Sequence, residues 1–509
     1  MGRLHQNKRR VPQNRCHSSR QTFVKETVMR TLCTSSRRMA LRRIVAGAFA
    51  MSALSAKGAV RPGTRVLVIG AGVAGLKAAQ DLVAAGCKVT VLEGRSRIGG
   101  RVHTDRTRFG VPVELGAQFI HGRSKSNGEQ NPIWAIAQLA KWATVPFRAG
   151  TGETYRNGVA LTATQDSAFN NLGEAFLDWV IGVQKDIIWG NLNYSLENAL
   201  ADYAAANRLT SQQIVDLRAY LAAEVEGDLA ADTNKISVQT IDEDDEYSVG
   251  GDQLIVGGYD QLPALLSLGL DIRINCTVRS VAHTTKPIRV STSQGDFLAE
   301  HVLVTVPLGV LKRNSITFNP VLPTAKRTAI SRMGVGAFNK VILKFPTRFW
   351  PRGNWFINIE NSDPFGVAFS SLETGAPRSN ILTGWQFGQL AILRETMTDA
   401  NLIAVVMAEL KRTFKGVSIP NPTATAITRW GSDPFSMGAY SFPGIGSPRT
   451  DIIALAAPVG TSLYFAGEAT NADYPSTVHG AFLSGMREAR NIIATATARS
   501  GATSQRHER

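Results

Sequence analysis

The segment VIGAGVAGL, residues 68–76, constrains the fold more than any other part of the chain. It places Gly70, Gly72 and Gly75 at the spacing of a dinucleotide-binding turn. The apolar, β-branched run at 65–69 comes directly before it and predicts a buried parallel strand. In such a turn the first glycine permits the sharp bend, the second lets backbone approach a pyrophosphate, and the third lets helix and strand pack closely.

The residues after this turn complete a βαβ unit. Residues 73–86 read as a helix that ends at a glycine, and residues 88–93 read as a second strand. That strand ends at Glu93, 23 residues after Gly70, where a ribose-binding acid belongs. The segment is therefore predicted to bind a dinucleotide, with the pyrophosphate at the helix N-terminus.

The net charge of +16 is concentrated in the first 60 residues. That segment holds 13 lysines and arginines and one acid, Glu26, so it carries +12, and the other 449 residues carry only +4. Arg37 and Arg38 precede thirteen uncharged residues, 44–56, which is the layout of a twin-arginine export signal without its usual aromatic residue. We predict a leader over 1–60 and a periplasmic protein. A mitochondrial transit peptide and a cytoplasmic protein with a basic tail are the alternatives.

The rest of the composition argues against three classes of site. Outside the leader no basic surface is expected, so no nucleic-acid partner is predicted. No apolar run reaches the length of a membrane-spanning helix, and no cluster of His, Cys and acids has metal-ligand spacing. Cys87 and Cys276 each lie in apolar, strand-like runs and are predicted to be buried free thiols.

The second half of the chain indicates which dinucleotide is bound. It has no second complete G-x-G-x-x-G motif, and one such site favours a flavoprotein that its own substrate reduces. A strand and a glycine turn are predicted over 113–122, and further strands at 276–281 and 302–312. Near the C-terminus, residues 463–489 read as a strand, a glycine turn and a helix that begins near Ser476 or Thr477.

Six separated motifs together resemble those of the flavin-containing amine oxidases, and within that family the polyamine oxidases. The resemblance runs from about Arg65 to Ile493. The motifs are GAGVAGL, EGRSRIGGRV, ELGAQFIHG, VGGYDQL, VLVTVPLGVLK and FAGEATNADYPSTVHGAFLSG.

The resemblance implies an α/β protein with two discontinuous domains. One is a Rossmann-type FAD-binding domain, and the other is an α+β substrate domain with a mixed sheet. The implied division is a leader over 1–60, the FAD-binding domain over 61–122, 250–320 and 425–497, the substrate domain over 123–249 and 321–424, and a tail over 498–509.

The resemblance also implies the contacts to FAD. They are Gly70, Gly72 and Gly75 at the pyrophosphate, Glu93 at the ribose, Arg95 and Arg101 beside the ribose and phosphates, Val278 at the adenine, Gly116 and Ala117 along the isoalloxazine, and Glu468 and Val478 at the ribityl phosphate and the flavin N1–O2 edge. Some relatives attach FAD through a cysteine where this chain has Ala439. We therefore expect non-covalent FAD.

The predicted amine site has one catalytic residue and five substrate contacts. They are Lys340, and His121, Tyr440, Trp430, Thr477 and Asp228. Lys340 matches a lysine that holds a water near flavin N5, Trp430 lies beside the ring and Tyr440 forms one wall of the pocket. His121 lies on the turn at the entrance. Acids in the segments 222–232 and 241–252 are candidate partners for a distal amine.

The reaction implied is FAD-dependent oxidation of an amine by hydride transfer to flavin N5. O2 becomes H2O2, and the imine is hydrolysed to aldehyde and amine. We expect a polyamine substrate of the spermine or spermidine class. An L-amino acid is disfavoured, because Phe119 occupies the position of an arginine in some L-amino acid oxidases. A histone substrate is disfavoured, because the chain has no room for the helical additions of histone demethylases. The alternatives are a monoamine or aromatic-amine oxidase, then an L-amino acid oxidase or a non-enzymatic flavoprotein. The partners expected are the small-molecule amine and O2, and the oligomeric state is not predicted.

Overall fold

The glycine turn joins a strand to a helix, as predicted, and lies at the centre of a parallel sheet. The computed structural model describes residues 60–61, 63–147, 152–187, 193–238, 247–284, 286–351, 353, 355–360, 363–370 and 380–504. The predicted leader, apart from residue 60, lies outside these described residues, as do the end of the predicted tail and the acid-rich residues 241–246.

The described residues form 23 strands. In chain order these are β1 Arg65–Ile69, β2 Lys88–Leu92, β3 Thr104–Asp105, β4 Val113–Glu114, β5 Phe119–Ile120, β6 Thr144–Pro146, β7 Glu153–Arg156, β8 Val159–Ala160, β9 Gln253–Ile255, β10 Asp271–Arg273, β11 Val278–Ala282, β12 Ile288–Thr292, β13 Gly295–Ala299, β14 His301–Val304, β15 Thr317–Asn319, β16 Gly334–Val335, β17 Phe338–Lys344, β18 Trp355–Glu360, β19 Asp363–Ser370, β20 Ile381–Phe387, β21 Ala424–Ile427, β22 Ser441–Phe442 and β23 Leu463–Phe465.

Thirteen α-helices connect these strands in the described part of the chain. They are α1 Val73–Ala84, α2 Pro132–Ala140, α3 Ala163–Ile187, α4 Leu196–Ala206, α5 Ser211–Leu221, α6 Gly227–Leu229, α7 Gln261–Leu266, α8 Leu308–Lys312, α9 Thr324–Arg332, α10 Gly388–Glu395, α11 Asp399–Thr413, α12 Arg449–Ala456 and α13 Val478–Ser504. A π-helical turn, Ala222–Glu226, joins α5 to α6, and a short 3₁₀ turn spans Glu468–Thr470.

The first sheet has five strands in the order β10-β2-β1-β14-β23, and all of its pairings are parallel. Val66 and Val68 on β1 pack into one hydrophobic cluster with α1 and α13, while Leu67 and Ile69 pack into another on the opposite face. Burial of both faces explains why β1 is a continuous apolar run. This is the predicted Rossmann-type sheet.

The second large sheet is mixed, as predicted. Its order is β21-β17-β20-β19-β18-β7-β8, with β18 and β7 parallel and the other pairings antiparallel. Lys340 lies in the middle of β17, between β20 and β21. Five consecutive residues of β17 are buried, so the lysine is held inside the protein.

Two sequence predictions of strands were partly wrong. The apolar run 302–312 forms β14 only to Val304 and then becomes α8 after Pro307, whose φ of −56° already suits a helix. The run 113–122 is divided into β4 and β5, which belong to different sheets. Gly116 lies between them, and a Cβ there would lie 1.8 Å from the carbonyl oxygen of Arg101. The error at 302–312 arose because a short apolar run in a sequence does not show whether the segment forms a buried helix or a strand.

The α/β fold class is confirmed by the two large sheets, and the finer domain boundaries stay a prediction. Cys87 and Cys276 are free and buried, as predicted. Within the described ranges no helix is long and apolar enough to cross a membrane. The same ranges hold no group of three or more His, Cys, Asp or Glu arranged for a metal ion.

Candidate active site

A cavity of about 810 Å³ is lined by residues of the first sheet, of β17 in the second sheet, and of the N-termini of α1 and α13. Of the predicted site residues, all except Gly75 line it. They are Gly70, Gly72, Glu93, Arg95, Arg101, Gly116, Ala117, His121, Asp228, Val278, Lys340, Trp430, Tyr440, Glu468, Thr477 and Val478. Their individual roles stay predictions, but the fold brings them to one place.

The glycine turn leaves one side of its backbone open. Gly70 has a φ of +106°, and a Cβ on Gly75 would lie 2.1 Å from the carbonyl oxygen of Gly70, so the turn cannot close with larger residues. A Cβ on Gly72 would meet no protein atom within 4 Å. No side chain caps the N-terminus of α1, whose first N–H groups therefore remain available to an anion in the cavity.

Glu93 fixes the turn to the end of β2. Its two carboxylate oxygens accept hydrogen bonds from the backbone N–H of Ala71 at 2.7 Å and of Arg95 at 2.8 Å. The side chain is buried yet lines the cavity. Carboxylate oxygens have further lone pairs, so the predicted ribose contact is compatible with these two bonds.

The two predicted phosphate-side arginines are paired with acids of the protein. Arg95 binds Asp433 through two hydrogen bonds, at 2.6 and 2.7 Å. Arg101 donates to Glu468 at 2.9 Å and to the carbonyl of Ala439 at 2.7 Å. Both pairs connect the first βαβ unit to residues more than 300 positions later, which sequence reasoning did not predict.

The N-terminus of α13 is the second helix start at this cavity. The hydroxyl of Thr477 accepts from the N–H of Gly480 at 2.9 Å and donates to the carbonyl of Tyr474 at 3.0 Å, so Thr477 caps the helix. Glu468 accepts from Ser476 N–H at 2.9 Å and holds the preceding loop. The helix begins at Val478, one residue after the predicted range.

Lys340 is buried, with 5% of its surface exposed, and does not reach the protein exterior. Its Nζ donates to the carbonyls of Glu114 at 3.1 Å and Gly116 at 2.8 Å, and to Oε1 of Gln118 at 2.6 Å. Burial lowers the pKa of Lys340 to about 8, although the nearby charge of Glu114 opposes this. The predicted water near this lysine stays a prediction, and Gln118 was not predicted at all.

Aromatic side chains form one wall of the cavity around Lys340. Trp430 Nε1 donates to the carbonyl of Leu115 at 3.2 Å, and the Tyr440 hydroxyl donates to the carbonyl of Gly227 at 2.9 Å. The ring of Phe338 lies 5.1 Å from that of Trp385 and 6.3 Å from that of Tyr440. With their polar atoms bound to backbone, these rings present apolar faces.

A contact between a histidine and an aspartate lines the cavity beside the β5–β9 pairing. Nδ1 of His121 lies 3.2 Å from Oδ2 of Asp252, and Gly122 N–H donates to the same carboxylate at 3.1 Å. Burial raises the pKa of Asp252, but the hydrogen bonds from His121 and Gly122 lower it more, so the net shift is downward. The ring centre of His479 lies 6.3 Å from that of His121. Burial lowers the pKa of His479 to about 3, so His479 is neutral at physiological pH.

Asp252 was predicted only as one acid within an acid-rich segment. Its place in the cavity follows from the pairing of β9 with β5, which sets Gln253 opposite Ile120. No local signal in the sequence reveals that pairing. Asp228 also lines the cavity, on α6 directly after the π-helical turn, and its side chain is exposed.

The residues of the cavity fit a flavin dinucleotide. The open backbone at Gly72 and the uncapped start of α1 suit a pyrophosphate, and Glu93 suits a ribose. Val278, the first residue of β11, lines the same cavity. FAD bound here would be held mainly by backbone N–H groups and the two helix N-termini.

Comparisons with known proteins agree with this reading. A family model described as flavin containing amine oxidoreductase matches residues 73–180 and 189–493. The chain is 33% identical over 441 residues to polyamine oxidase 4 of Oryza sativa subsp. japonica, with 83% of this chain and 87% of that protein covered.

It is 35% identical over 454 residues to lysine-specific histone demethylase 1 homolog 1 of Arabidopsis thaliana, with 86% of this chain and 53% of that protein covered. The chain thus spans about half the length of this type of relative. A structure of putrescine oxidase bound to putrescine superposes with a TM-score of 0.66 at 21% identity and covers 85% of this chain and 100% of that one, which is a likeness of fold.

Proposed function

Because the chain belongs to the flavin-containing amine oxidoreductase family, we propose that it is an FAD-dependent oxidase of polyamines of the spermine or spermidine class. Bound FAD supplies a two-electron acceptor that O2 can reoxidise to yield H2O2. The observation that carries the choice of substrate is Asp252, a carboxylate with a lowered pKa in the same cavity as Lys340. A monoamine has no second ammonium group to pair with it.

Different residues of the cavity have different roles in the proposed reaction. The aromatic rings of Trp430, Tyr440 and Phe338 exclude water and orient the carbon chain of the amine. Holding the amine in a reactive orientation raises the rate of its oxidation. Lys340 lies buried in the wall beside them, with its Nζ bound to the carbonyls of Glu114 and Gly116 and to Gln118. The aldehyde and amine products follow from hydrolysis of the oxidised amine.

Two acids are available for the remote amines of a polycation. Asp252 is oriented by His121 and by Gly122 N–H, so its geometry is fixed before a substrate arrives. Asp228 lines the cavity from a different element, next to the carbonyl of Gly227 that holds Tyr440. A hydrogen bond to a charged partner is worth about 1.5–3 kcal/mol, enough to favour a polyamine over a monoamine more than tenfold.

A second candidate, a monoamine oxidase, is favoured by the aromatic wall. Phe119 and Phe338 lie 6.4 and 5.1 Å from Trp385 between ring centres, so part of the cavity is purely apolar. Such a surface suits an aromatic amine. The similarity to histone demethylases adds a methylated lysine peptide as a third substrate to test.

A peroxide assay on the purified yellow protein decides among these substrates. We expect the highest kcat/KM for spermine or spermidine, ahead of putrescine, tyramine, L-amino acids and a dimethyl-lysine peptide. Asp252→Asn should raise KM for the long polyamines about tenfold and leave that for tyramine nearly unchanged, because only the former lose a charged contact. Asp296→Asn, which removes an exposed acid on β13 paired with Arg289, serves as the matched control. Tyramine or the peptide as the best substrate would contradict the proposal.

We also infer that FAD is held without a covalent bond. Ala439 is buried in the cavity wall and offers a methyl group where some relatives have a reactive sulfur. Acid precipitation should release the yellow colour into the supernatant. A coloured pellet after washing would show a covalent attachment elsewhere.

A further inference from the structure

Lys340 and Gln118 form a closed hydrogen-bonding unit in the cavity wall. A protonated lysine has three N–H donors and no acceptor. Here Nζ meets three oxygen acceptors, namely the carbonyls of Glu114 and Gly116 and Oε1 of Gln118, at 3.1, 2.8 and 2.6 Å. These acceptors match an ammonium group. A neutral amine has only two hydrogens and would leave one of the three oxygens without a donor.

The carboxamide of Gln118 is oriented by this contact at a cost. Its oxygen faces Lys340, while its buried Nε2 has no hydrogen-bond partner in the described part of the chain. An unpaired buried donor is unfavourable. The reversed amide would point N–H groups at the N–H groups of the ammonium, whereas the observed one makes a charge-assisted bond, which is roughly twice as strong as a neutral one. The observed orientation of Gln118 therefore stabilises the charged form of Lys340.

The charged group that faces Lys340 is Glu114 on β4. Burial raises the pKa of Glu114 to about 7, although its carboxylate accepts hydrogen bonds from the N–H of Tyr259 at 2.7 Å and the hydroxyl of Thr104 at 2.8 Å. The nearby charge of Asp260 also raises this pKa. The neighbouring strands β20 and β21 bring uncharged groups, since Trp385 pairs with Lys340 in register and Thr428 binds its backbone. The shortest hydrogen bond of Lys340 Nζ, at 2.6 Å, is to Oε1 of Gln118, which is a neutral side chain.

We propose that Gln118 is a positioning residue that fixes Lys340 as an ammonium ion, so that Lys340 serves the cavity as a lasting positive charge and not as a proton acceptor. Like charges disfavour each other's charged forms, so this ammonium favours the neutral form of an amine placed against it. The neutral form is the one that has a lone pair to drive loss of a hydride. That consequence rests on the proposed function, whereas the protonation of Lys340 does not.

The protonation of Lys340 can be measured directly on the flavin-loaded protein. Lysine labelled at ¹³Cε and ¹⁵Nζ gives an NMR signal for each side chain, and the signal of Lys340 is the one lost in Lys340→Arg. In Gln118→Leu the midpoint of its titration should move to lower pH by about one unit, a tenfold change in acid dissociation constant, because the charged form loses an acceptor. In Gln118→Glu the midpoint should move to higher pH, because the acceptor becomes an anion.

Gln253→Leu is the matched control, since Gln253 is equally buried but donates to the carbonyls of Gly250 and Gly251 and does not bind Lys340. The control should leave the Lys340 midpoint unchanged. Gln118→Met replaces the leucine variant if that protein does not fold. An unchanged midpoint in the apolar variant, or shifts in the same direction for the apolar and glutamate variants, would overturn the inference. Failure to oxidise any amine would refute the proposed function and leave this titration interpretable.

Discussion

The cavity has two ends, one at the glycine turn and one at Lys340. The contacts that hold the turn itself join residues close together in sequence, whereas the contacts that hold Lys340 join residues far apart. Glu93 binds Ala71, 22 positions away, and Arg95, 2 positions away. Lys340 binds Glu114, 226 positions away, and Tyr440 binds Gly227, 213 positions away. A short motif can therefore specify the turn. The Arg95–Asp433 and Arg101–Glu468 pairs at the same end, like the surroundings of Lys340, depend on how distant parts of the chain are brought together.

The two ends also differ in how they handle charge. At the first, the backbone N–H groups of the turn and of the start of α1 keep their geometry whatever the pH, and Arg95 and Arg101 are each paired with an acid of the protein. The second relies on a buried ammonium ion, an ionised aspartate and two imidazoles, whose charges depend on burial and on one another. Substitutions should therefore act on folding and cofactor binding at the first end and on kinetics and pH dependence at the second.

The largest effect is expected at the glycine turn. Gly75→Ala places a Cβ 2.1 Å from the carbonyl oxygen of Gly70, and overpacking of this severity should lower the free energy of unfolding of the flavin-free protein by about 3 kcal/mol or more. Gly72→Ala meets no protein atom within 4 Å and should leave that free energy nearly unchanged, yet weaken flavin binding. Urea unfolding and flavin content measure both. Equal loss of stability in the two variants would remove the distinction between packing and cofactor contact.

A smaller but specific effect is expected at Lys340. Lys340→Met should keep FAD bound and slow flavin reduction or reoxidation at least tenfold, which corresponds to about 1.4 kcal/mol. Lys344→Met is the control, because Lys344 lies on the same strand and donates to the carbonyl of Phe109 at 2.7 Å. Stopped-flow absorbance separates the two half-reactions. Rates equal to those of the control in both would refute a role for Lys340.

The smallest effect is expected at His121. His121→Ala should raise KM for spermidine about threefold and that for tyramine less, because the imidazole orients Asp252 for a remote ammonium group. KM measured for both substrates tests this. An equal rise in KM for both amines would contradict this prediction and would place His121 in the part of the pocket that binds the amine group common to both substrates.

The same contrast explains what the sequence predicted and what it did not. The βαβ unit was readable because strand, glycines and acid follow one another within 30 residues. The arginines were recognised by their motif, but their partners Asp433 and Glu468 were not, since no local pattern pairs them. Gln118 gave no signal because a glutamine beside an apolar run is ordinary, and its role depends on Lys340 reaching it from another sheet.

The pairing of Arg101 with Glu468 links residues 367 positions apart, and it has a consequence for how the protein is made. The glycine turn is synthesised well before the loop at Glu468 and the start of α13, which complete the same cavity. Contacts of such long sequence separation form slowly, because the intervening chain must be ordered first. A chain released before residue 468 should therefore fail to retain flavin, even though its entire glycine motif is present.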